Sequence, residues 1–249
     1  MTLNISMVYT LNQEVPSYLC DRVDRLHPWA AIRLCQEVTE YHGNSVGGGF
    51  ATLIAQNRAW VIVRSYYRFQ RRPAAFERVM LNTWSRGNDG LFAYRDYRIC
   101  SMSGEVVMTG TSYWMLIDFA QRRAVRLREF VDVYESVPDV ATDRDRLDRI
   151  VLPPMDAPDF RLTLVARHSM IDHTDHVNNS EYIKWIFDAL NECGFDADQP
   201  FGIELNFQHE TKVGDTVNVD VRRVDDVWYA HVSNSVGTSV TAKIKETGD

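Results

Sequence analysis

The chain has 249 residues, of which 45% are hydrophobic, and its 27 basic and 34 acidic side chains give a formal charge of −7 at pH 7. This composition is typical of a folded protein with a sizeable core, and it excludes a fibrous repeat or an extensively disordered chain. The acidic balance argues against general nucleic-acid binding, which needs a basic surface. The length indicates one large or two small domains.

Neither a membrane span nor a secretory signal is expected from the sequence. No stretch approaches the ~20 consecutive apolar residues that a membrane-spanning helix requires. The N-terminal residues lack the basic flank and apolar core of a signal peptide and predict a first strand instead. The four cysteines are widely scattered and form no C-x-x-C pair, so we expect free, buried thiols and a cytoplasmic protein.

The first half of the chain predicts one helix followed by an antiparallel meander. After Pro28, apolar or small residues recur on one helical face at Ala31, Leu34, Cys35, Val38 and Tyr41. Gly43 supplies a stop, and residues 50–55 predict another helical turn. Segments rich in aromatic and β-branched residues then alternate with short turns, which predicts antiparallel strands near 59–72, 77–86, 91–101 and 105–118.

The same order of elements returns in the second half. It comprises a strand at 160–168, a polar loop at 169–179, a helix from Ser180 to about Cys193, and strands near 201–212, 215–224, 227–235 and 238–246. The halves align without a gap over one stretch, in which Phe69-Gln70 lies 138 positions before Phe207-Gln208. A duplicated helix-plus-sheet unit explains this repetition.

A sheet wrapped around a long helix, twice in one chain, is an α+β architecture known as the tandem, or double, hot-dog fold. The intervening segment is rich in charges and prolines, as is typical of a linker. We therefore predict an N-terminal hot-dog domain at 1–128, a linker at 129–158 and a C-terminal hot-dog domain at 159–249.

The polar loop before the second helix is the richest chemical cluster in the chain. Asn178, Asn179 or Ser180 can act there as a helix N-cap without any further function. Capping does not explain Asp172 and His176, a carboxylate and an imidazole four residues apart that can exchange protons near neutral pH.

A metal site is the rival interpretation of the same loop, because Asp172, His173 and His176 could all be ligands. No H-x-x-x-H helix or second ligand pair accompanies them. We therefore expect neither a bound metal nor a cofactor.

Two further groups of residues leave a choice between a functional and a solvated role. Alternation along the predicted strand at 201–212 puts four side chains on one face, namely Glu204, Asn206, Gln208 and Glu210. Arginines that could pair with a phosphate or an acidic partner form three groups, at Arg71-Arg72, at Arg122-Arg123 with Arg126 and Arg128, and at Arg222-Arg223.

Residues 172–179, which read D-H-T-D-H-V-N-N, resemble the D-x-N-x-H-V-N-N segment of the acyl-acyl carrier protein thioesterases of plants and bacteria. The helix that follows is also similar to the central helix of that family. Strands of the family are matched in order across the first half, at Trp60–Arg64, Thr83-Trp84, Ala93–Asp96 and Ser112–Met115. The resemblance therefore covers almost the whole chain.

The resemblance implies a hydrolase of fatty acid biosynthesis that cleaves the thioester of fatty acyl-acyl carrier protein to free fatty acid and carrier protein. Its partner would be an acyl carrier protein bearing a phosphopantetheine-linked acyl chain. The N-terminal domain would bind the acyl chain, and the C-terminal domain would be catalytic. Carried over by position, the family's catalytic residues are Asp172, His176 and Glu210.

Two positions depart from the family pattern. Thr174 stands where the family has Asn, and Thr211 stands where plant members often have Cys, which argues for attack by water rather than by a thiol. We expect Glu210 and His176 to activate that water, with Asp172 orienting His176 or sharing the role of base. Thr174 would donate a hydroxyl hydrogen bond in place of the Asn amide, and the start of the second helix would stabilise the oxyanion.

Several alternatives stay open at this point. The same fold could hydrolyse acyl-coenzyme A, if the arginine clusters bind a nucleotide phosphate. It could also be a non-catalytic acyl- or lipid-binding protein or, built from the same Asp and His, a hydratase. A tandem chain could act as a monomer or pair as a homodimer.

Overall fold

Two halves of the chain repeat one order of elements in the computed structural model, which describes residues 7–121, 123–127 and 135–247. The helices are α1 (Pro28–Ser45), α2 (Phe50–Ala55) and α3 (Asn179–Glu192). The first-half strands are β1 (Val8–Glu14), β2 (Arg58–Phe69), β3 (Arg78–Asn88), β4 (Ala93–Ser101), β5 (Val106–Asp118) and the short β6 (Arg123–Ala124). The second-half strands are β7 (Phe160–Val165), β8 (Phe201–Phe207), β9 (Thr216–Val224), β10 (Val227–Ser233) and β11 (Thr238–Glu246).

The described strands form one continuous antiparallel sheet. Its order is β1-β3-β4-β5-β2-β8-β11-β10-β9-β7, with β6 paired to β5. Each half contributes the same strand order, and the halves join edge to edge where β2 pairs with β8, from Arg64 opposite Asn206 to Phe69 opposite Phe201. The predicted tandem hot-dog fold is confirmed.

The core lies between this sheet and the two long helices, which pack against each other. Aromatic side chains fill it where the halves meet. The rings of Phe69 and Phe201 stack with centroids 4.6 Å apart across the β2–β8 junction, and Phe187 of α3 packs on Phe201. Fully buried aromatic pairs contribute apolar burial and about 1 kcal/mol of ring–ring attraction, so the junction is a true core rather than a contact between separate domains.

The buried face of α1 differs from the prediction at one residue. Val38 is buried as expected, but Tyr41 is 44% exposed, and His42 takes the buried position instead. The reason is helical geometry, because the position four residues after Val38 lies closer to the same face than the position three after it. The helix also continues past the predicted stop at Gly43 and ends at Ser45.

The strand that was predicted to reach residue 212 ends at Phe207. Its ladder with β2 stops at Asn206 and its ladder with β11 stops at Phe207, so the backbone beyond leaves the sheet. The predicted shared face is therefore wrong. Glu204 and Asn206 contact the segment that crosses the outer side of the sheet, whereas Glu210 lies in a loop on the other side.

Residues 135–158 cross the outer face of the sheet and are fixed there by specific contacts. The indole N–H of Trp84 donates to the carbonyl of Asp139, and Leu147 is buried. The N–H of Ile150 donates to Oδ1 of Asn206 at 2.7 Å. The predicted domain boundary at 128 and the start of the predicted linker at 129–134 lie outside the described residues.

All four cysteines carry free thiols, as predicted, although only Cys35 and Cys100 are buried. Among the described helices, none combines the length and the apolar character needed to span a bilayer.

Candidate active site

The loop at 171–178 is closed on itself before α3 begins. Ile171 and Val177 form a β-bridge, and the N–H of Asp172 donates to the carbonyl of His176 at 2.9 Å. Asp175 takes a left-handed conformation at φ 63°, which lets the chain reverse in so few residues. The loop therefore presents its side chains from a rigid turn.

Asn178 is the N-cap of α3. Its Oδ1 accepts hydrogen bonds from the N–H and the hydroxyl of Ser180, at 2.9 and 2.6 Å. This contact satisfies one of the free N–H groups of the first turn. Of the three N-cap candidates in the sequence, Asn178 is therefore the one that caps α3.

Thr174 and Asn178 hold the carboxylate of Asp172. Its Oδ1 accepts from the N–H of Thr174 at 2.8 Å and from the Thr174 hydroxyl at 2.6 Å, and its Oδ2 accepts from the amide of Asn178 at 3.4 Å. The expected contact between Asp172 and the imidazole of His176 is not formed.

His176 instead meets Glu210. Its Nε2 lies 2.9 Å from Oε2 of Glu210, in a pair where the His side chain is 23% exposed and the Glu side chain 54%. An imidazole and a carboxylate at this distance can share and relay a proton. The structure therefore brings His176 and Glu210, which lie far apart in the sequence, into contact, as predicted.

Thr211 fixes the segment that carries Glu210. It is fully buried, its hydroxyl shares a 3.0 Å hydrogen bond with that of Ser239 on β11, and its carbonyl accepts from the N–H of Val177 at 2.9 Å. The Glu210 segment is thereby tied both to the sheet and to the loop that carries His176.

A cavity of about 900 Å³ opens beside these groups. Asp172, Thr174, His176 and Glu210 all line it, together with α1, α2 and strand ends of the first half. Its apolar wall comes mainly from Phe50, Leu53, Trp60, Ile62, Trp114 and Met115. The site is thus polar on the second-half side and largely apolar on the first-half side.

Two residues that the sequence did not single out shape the site. Tyr182 lines the cavity and is buried. Burial, together with the charge of Glu210, raises the pKa of its phenol to about 12, although hydrogen bonds with Thr211 lower that pKa in part. Tyr182 therefore presents a neutral hydroxyl near Glu210. Phe50 of α2 packs its ring edge-on against His173, with centroids 3.9 Å apart, and joins the first half to the loop. The only indication in the sequence that Tyr182 would lie at the site is its position one helical turn after the N-cap.

The first arginine pair identified from the sequence is engaged in ion pairs. Arg71 binds Glu77 and Glu105, and Arg72 binds Asp21 and Asp198. These contacts leave neither guanidinium available for a nucleotide phosphate. Arg122 and Arg128 lie outside the described residues, and within the described chain no group of His, Cys, Asp and Glu side chains is arranged to hold a metal ion.

These features define the class of the protein as a tandem hot-dog protein with a histidine–glutamate pair beside a cavity that has an apolar wall. Residues 6–134 match the family described as the acyl-ACP thioesterase N-terminal domain, and residues 156–246 match the acyl-ACP thioesterase C-terminal domain. The chain belongs to the acyl-ACP thioesterase family, as the resemblance predicted.

Curated plant relatives are similar over most of this chain. The chloroplastic oleoyl-acyl carrier protein thioesterase 2 of Arabidopsis thaliana is 27% identical over 74% of this chain and 54% of its own length. The chloroplastic oleoyl-acyl carrier protein thioesterase of Coriandrum sativum is 28% identical over 86% of this chain and 60% of its own. The chain thus spans a little more than half the length of these relatives.

Solved structures share the fold over the full chain. An acyl-ACP thioesterase from Bacteroides thetaiotaomicron superposes with a TM-score of 0.84 at 20% identity, covering 97% of this chain and 98% of that one. The 12:0-ACP thioesterase from Umbellularia californica superposes with a TM-score of 0.86 at 18% identity, covering both chains completely.

Proposed function

We propose that the protein hydrolyses the thioester of fatty acyl-acyl carrier protein and releases free fatty acid and carrier protein. The observation that carries the proposal is the His176–Glu210 pair at 2.9 Å beside a cavity with an apolar wall. Membership of the acyl-ACP thioesterase family and the names of the plant relatives support the same substrate.

Glu210 and His176 activate the attacking water. His176 engages Oε2 of Glu210, which leaves Oε1 to accept a proton from water as its oxygen attacks the thioester carbonyl carbon. The carbon–sulfur bond then breaks, and the departing thiolate of the carrier takes up the proton through His176. Water rather than a thiol attacks, because Thr211 follows Glu210 where a cysteine could otherwise stand.

The first turn of α3 stabilises the oxyanion that forms on the thioester oxygen. Asn179 lines the cavity, and its N–H has no hydrogen-bond acceptor among the described residues. A helix N-terminus favours developing negative charge, and one oxyanion donor is worth about 3 kcal/mol in the transition state.

Asp172 and Thr174 act as a unit beside this centre. The Thr174 hydroxyl donates to Asp172 and cannot donate to the substrate at the same time, so its role is to position the carboxylate. Asp172, held by hydrogen bonds from Thr174 and Asn178, orders the polar end of the cavity.

We further propose that the halves divide the work. The first half, within residues 1–128, supplies the apolar wall that holds the acyl chain, and the second half, within 159–249, supplies the reactive side chains. A homodimer is not needed to complete the site, because both halves of one chain line it. A role in fatty acid biosynthesis and a location in the cytoplasm stay predictions; the plant relatives are named as chloroplastic.

A carrier panel tests the proposal. Purified protein is given the same acyl groups on acyl carrier protein and on coenzyme A, and free acid is measured. We expect kcat/KM to favour acyl carrier protein, and Asp172→Ala and Glu210→Ala to remove most of the rate. Preference for coenzyme A would overturn the assignment of the carrier, and full activity of both variants would overturn the site.

A further inference from the structure

A second cavity, of about 330 Å³, lies on the outer face of the sheet, away from α1 and α3. It is formed between the segment at 144–151 and outward-facing residues of β8, β10 and β11. Four basic side chains line it, namely Arg144, Arg146, Arg149 and Lys243. Only two carboxylates accompany them, Asp148 and Glu204. We name this site the basic cavity. Its excess of positive charge is unusual on a chain of net charge −7.

Two of the four cations are already paired. Arg144 lies 3.2 Å from Glu204, and Arg146 lies 3.3 Å from Asp148, where both side chains are about four-fifths exposed. In the described part of the chain, no carboxylate forms an ion pair with Arg149 or with Lys243. Two full positive charges therefore remain for a ligand.

The framework of the basic cavity is preorganised. Lys243 lies directly across the strand ladders from Tyr229 on β10 and from Glu204 on β8, so these three side chains stand in one row on the outer face. The segment above is pinned one residue after Arg149, where the N–H of Ile150 donates to Asn206 on β8. Lys243 is thus held by the sheet, and the exposed Arg149 lies on a segment that Asn206 anchors at the next residue.

We propose that the basic cavity binds a phosphate group, either as the free ion or as a monoester. A guanidinium fork, an ammonium and a phenol offer several donors around one concave space, and a tetrahedral dianion accepts from such a set. The concavity suits one compact anionic group better than an extended acidic peptide. The site shares no residue with the cavity at His176 and Glu210, so it stands independently of the proposed hydrolysis.

Thermal unfolding and titration calorimetry of the full chain test the site. Inorganic phosphate and glycerol 3-phosphate are compared with chloride at equal ionic strength. Because a ligand that binds the folded state raises its stability, we expect both phosphates to raise the Tm by at least about 2 °C at saturation, and chloride to have no effect. Tighter binding of the monoester would identify a phosphorylated metabolite, and equal binding would identify the free ion.

Matched variants locate the effect. Arg149→Ala combined with Lys243→Ala should weaken phosphate binding by at least about tenfold, and Lys243→Gln alone should weaken it less. Lys245→Ala removes the same charge two positions further along β11, outside the basic cavity, and should bind as the wild type does. Glu210→Gln should also bind normally. The proposal is overturned if neither phosphate binds, or if the double variant binds as tightly as Lys245→Ala.

Discussion

Arg72 occupies in the first half of the chain the place that Glu210 occupies in the second. Each stands three positions beyond the last residue of an equivalent strand, β2 or β8. Glu210 meets His176, whereas Arg72 donates at 2.6 Å to Asp21, which precedes α1 by seven positions as Asp172 precedes α3. A guanidinium is always protonated, so the first half retains the scaffold but not the acid–base chemistry.

Arg72 should stabilise the fold. Its side chain is only 5% exposed and joins Asp21 of the first half to Asp198 of the second. Removing one partner of a buried ion pair leaves the other charge uncompensated, so Arg72→Ala should lower the free energy of unfolding by about 3 kcal/mol. Urea denaturation measures this loss. The exposed neighbour Arg22 provides the control, since Arg22→Ala should change stability by less than about 0.5 kcal/mol.

The same ion pair predicts a pH dependence of stability. Burial alone would raise the pKa of Asp21, but hydrogen bonds from Arg72 and from the N–H groups of Arg25 and Val23 outweigh burial and lower it from 3.8. A carboxyl group whose pKa is lower in the folded state stabilises the protein above its unfolded pKa and loses that contribution as the pH falls through the folded value. The stability difference between wild type and Asp21→Asn should therefore be constant from pH 7 to about pH 5 and shrink below about pH 4. A difference that persists unchanged to pH 3 would contradict this account.

Replacement of Glu210 by Gln should abolish most of the hydrolytic rate. The amide keeps the size of the side chain but cannot accept the proton from water, and losing a general base costs on the order of 100- to 10,000-fold in kcat. Steady-state release of free fatty acid measures the effect. Glu192→Gln, at the exposed end of α3, makes the same chemical change away from the cavity and should be neutral. Comparable rates for the two variants would remove Glu210 from the mechanism.

Thr174→Val tests whether the hydroxyl of Thr174, rather than the shape of its side chain, positions Asp172. Valine keeps the branched side chain and the backbone N–H bond to Asp172 but removes the hydroxyl donor at 2.6 Å. A hydrogen bond to a charged group is worth about 2 kcal/mol, so kcat should fall on the order of 10- to 30-fold with little change in KM. Thr174→Ser keeps the hydroxyl and should retain most of the rate. A fully active valine variant would show that the hydroxyl does not matter.

Leu53→Trp should alter the choice of acyl chain. Leu53 is buried, lines the cavity from α2 and packs against Leu116 and Leu127. A larger side chain there fills space that a long acyl chain needs, so kcat/KM should fall more for a 16-carbon than for an 8-carbon substrate. Ile54→Trp adds the same bulk on the exposed side of α2 and should leave the ratio unchanged. Equal losses for both chain lengths would argue that the acyl chain lies elsewhere.

Much of the fold could be predicted because it depends on local periodicity and on repetition. The two long helices, the meanders and the duplication follow from the spacing of apolar residues, and α2 was found at its predicted bounds. The end of β8 could not be predicted, because no Gly or Pro between Phe207 and Lys212 marks it, whereas the partner strands β2 and β11 no longer pair with the chain beyond Phe207. Strand ends are set by the neighbouring strand, which a single sequence does not contain.

The candidate site, like the fold, could be predicted only in part. The types and positions of Asp172, His176 and Glu210 were visible in the sequence, and the structure brings all three to one cavity. The contact of Asp172 with Thr174 rather than with His176 was not visible, because it depends on which way a tight turn directs each side chain.

Because β2 pairs with β8 within one polypeptide, the two halves of the sheet can differ from each other in sequence. In a symmetric pair of identical subunits every substitution occurs twice, so a mutation that improves one place also alters its mirror image. Covalent linkage removes that restriction. Here an arginine bridge at Arg72 stands on one side where the other side has Glu210 paired with His176, a difference that two copies of a single gene product could not have.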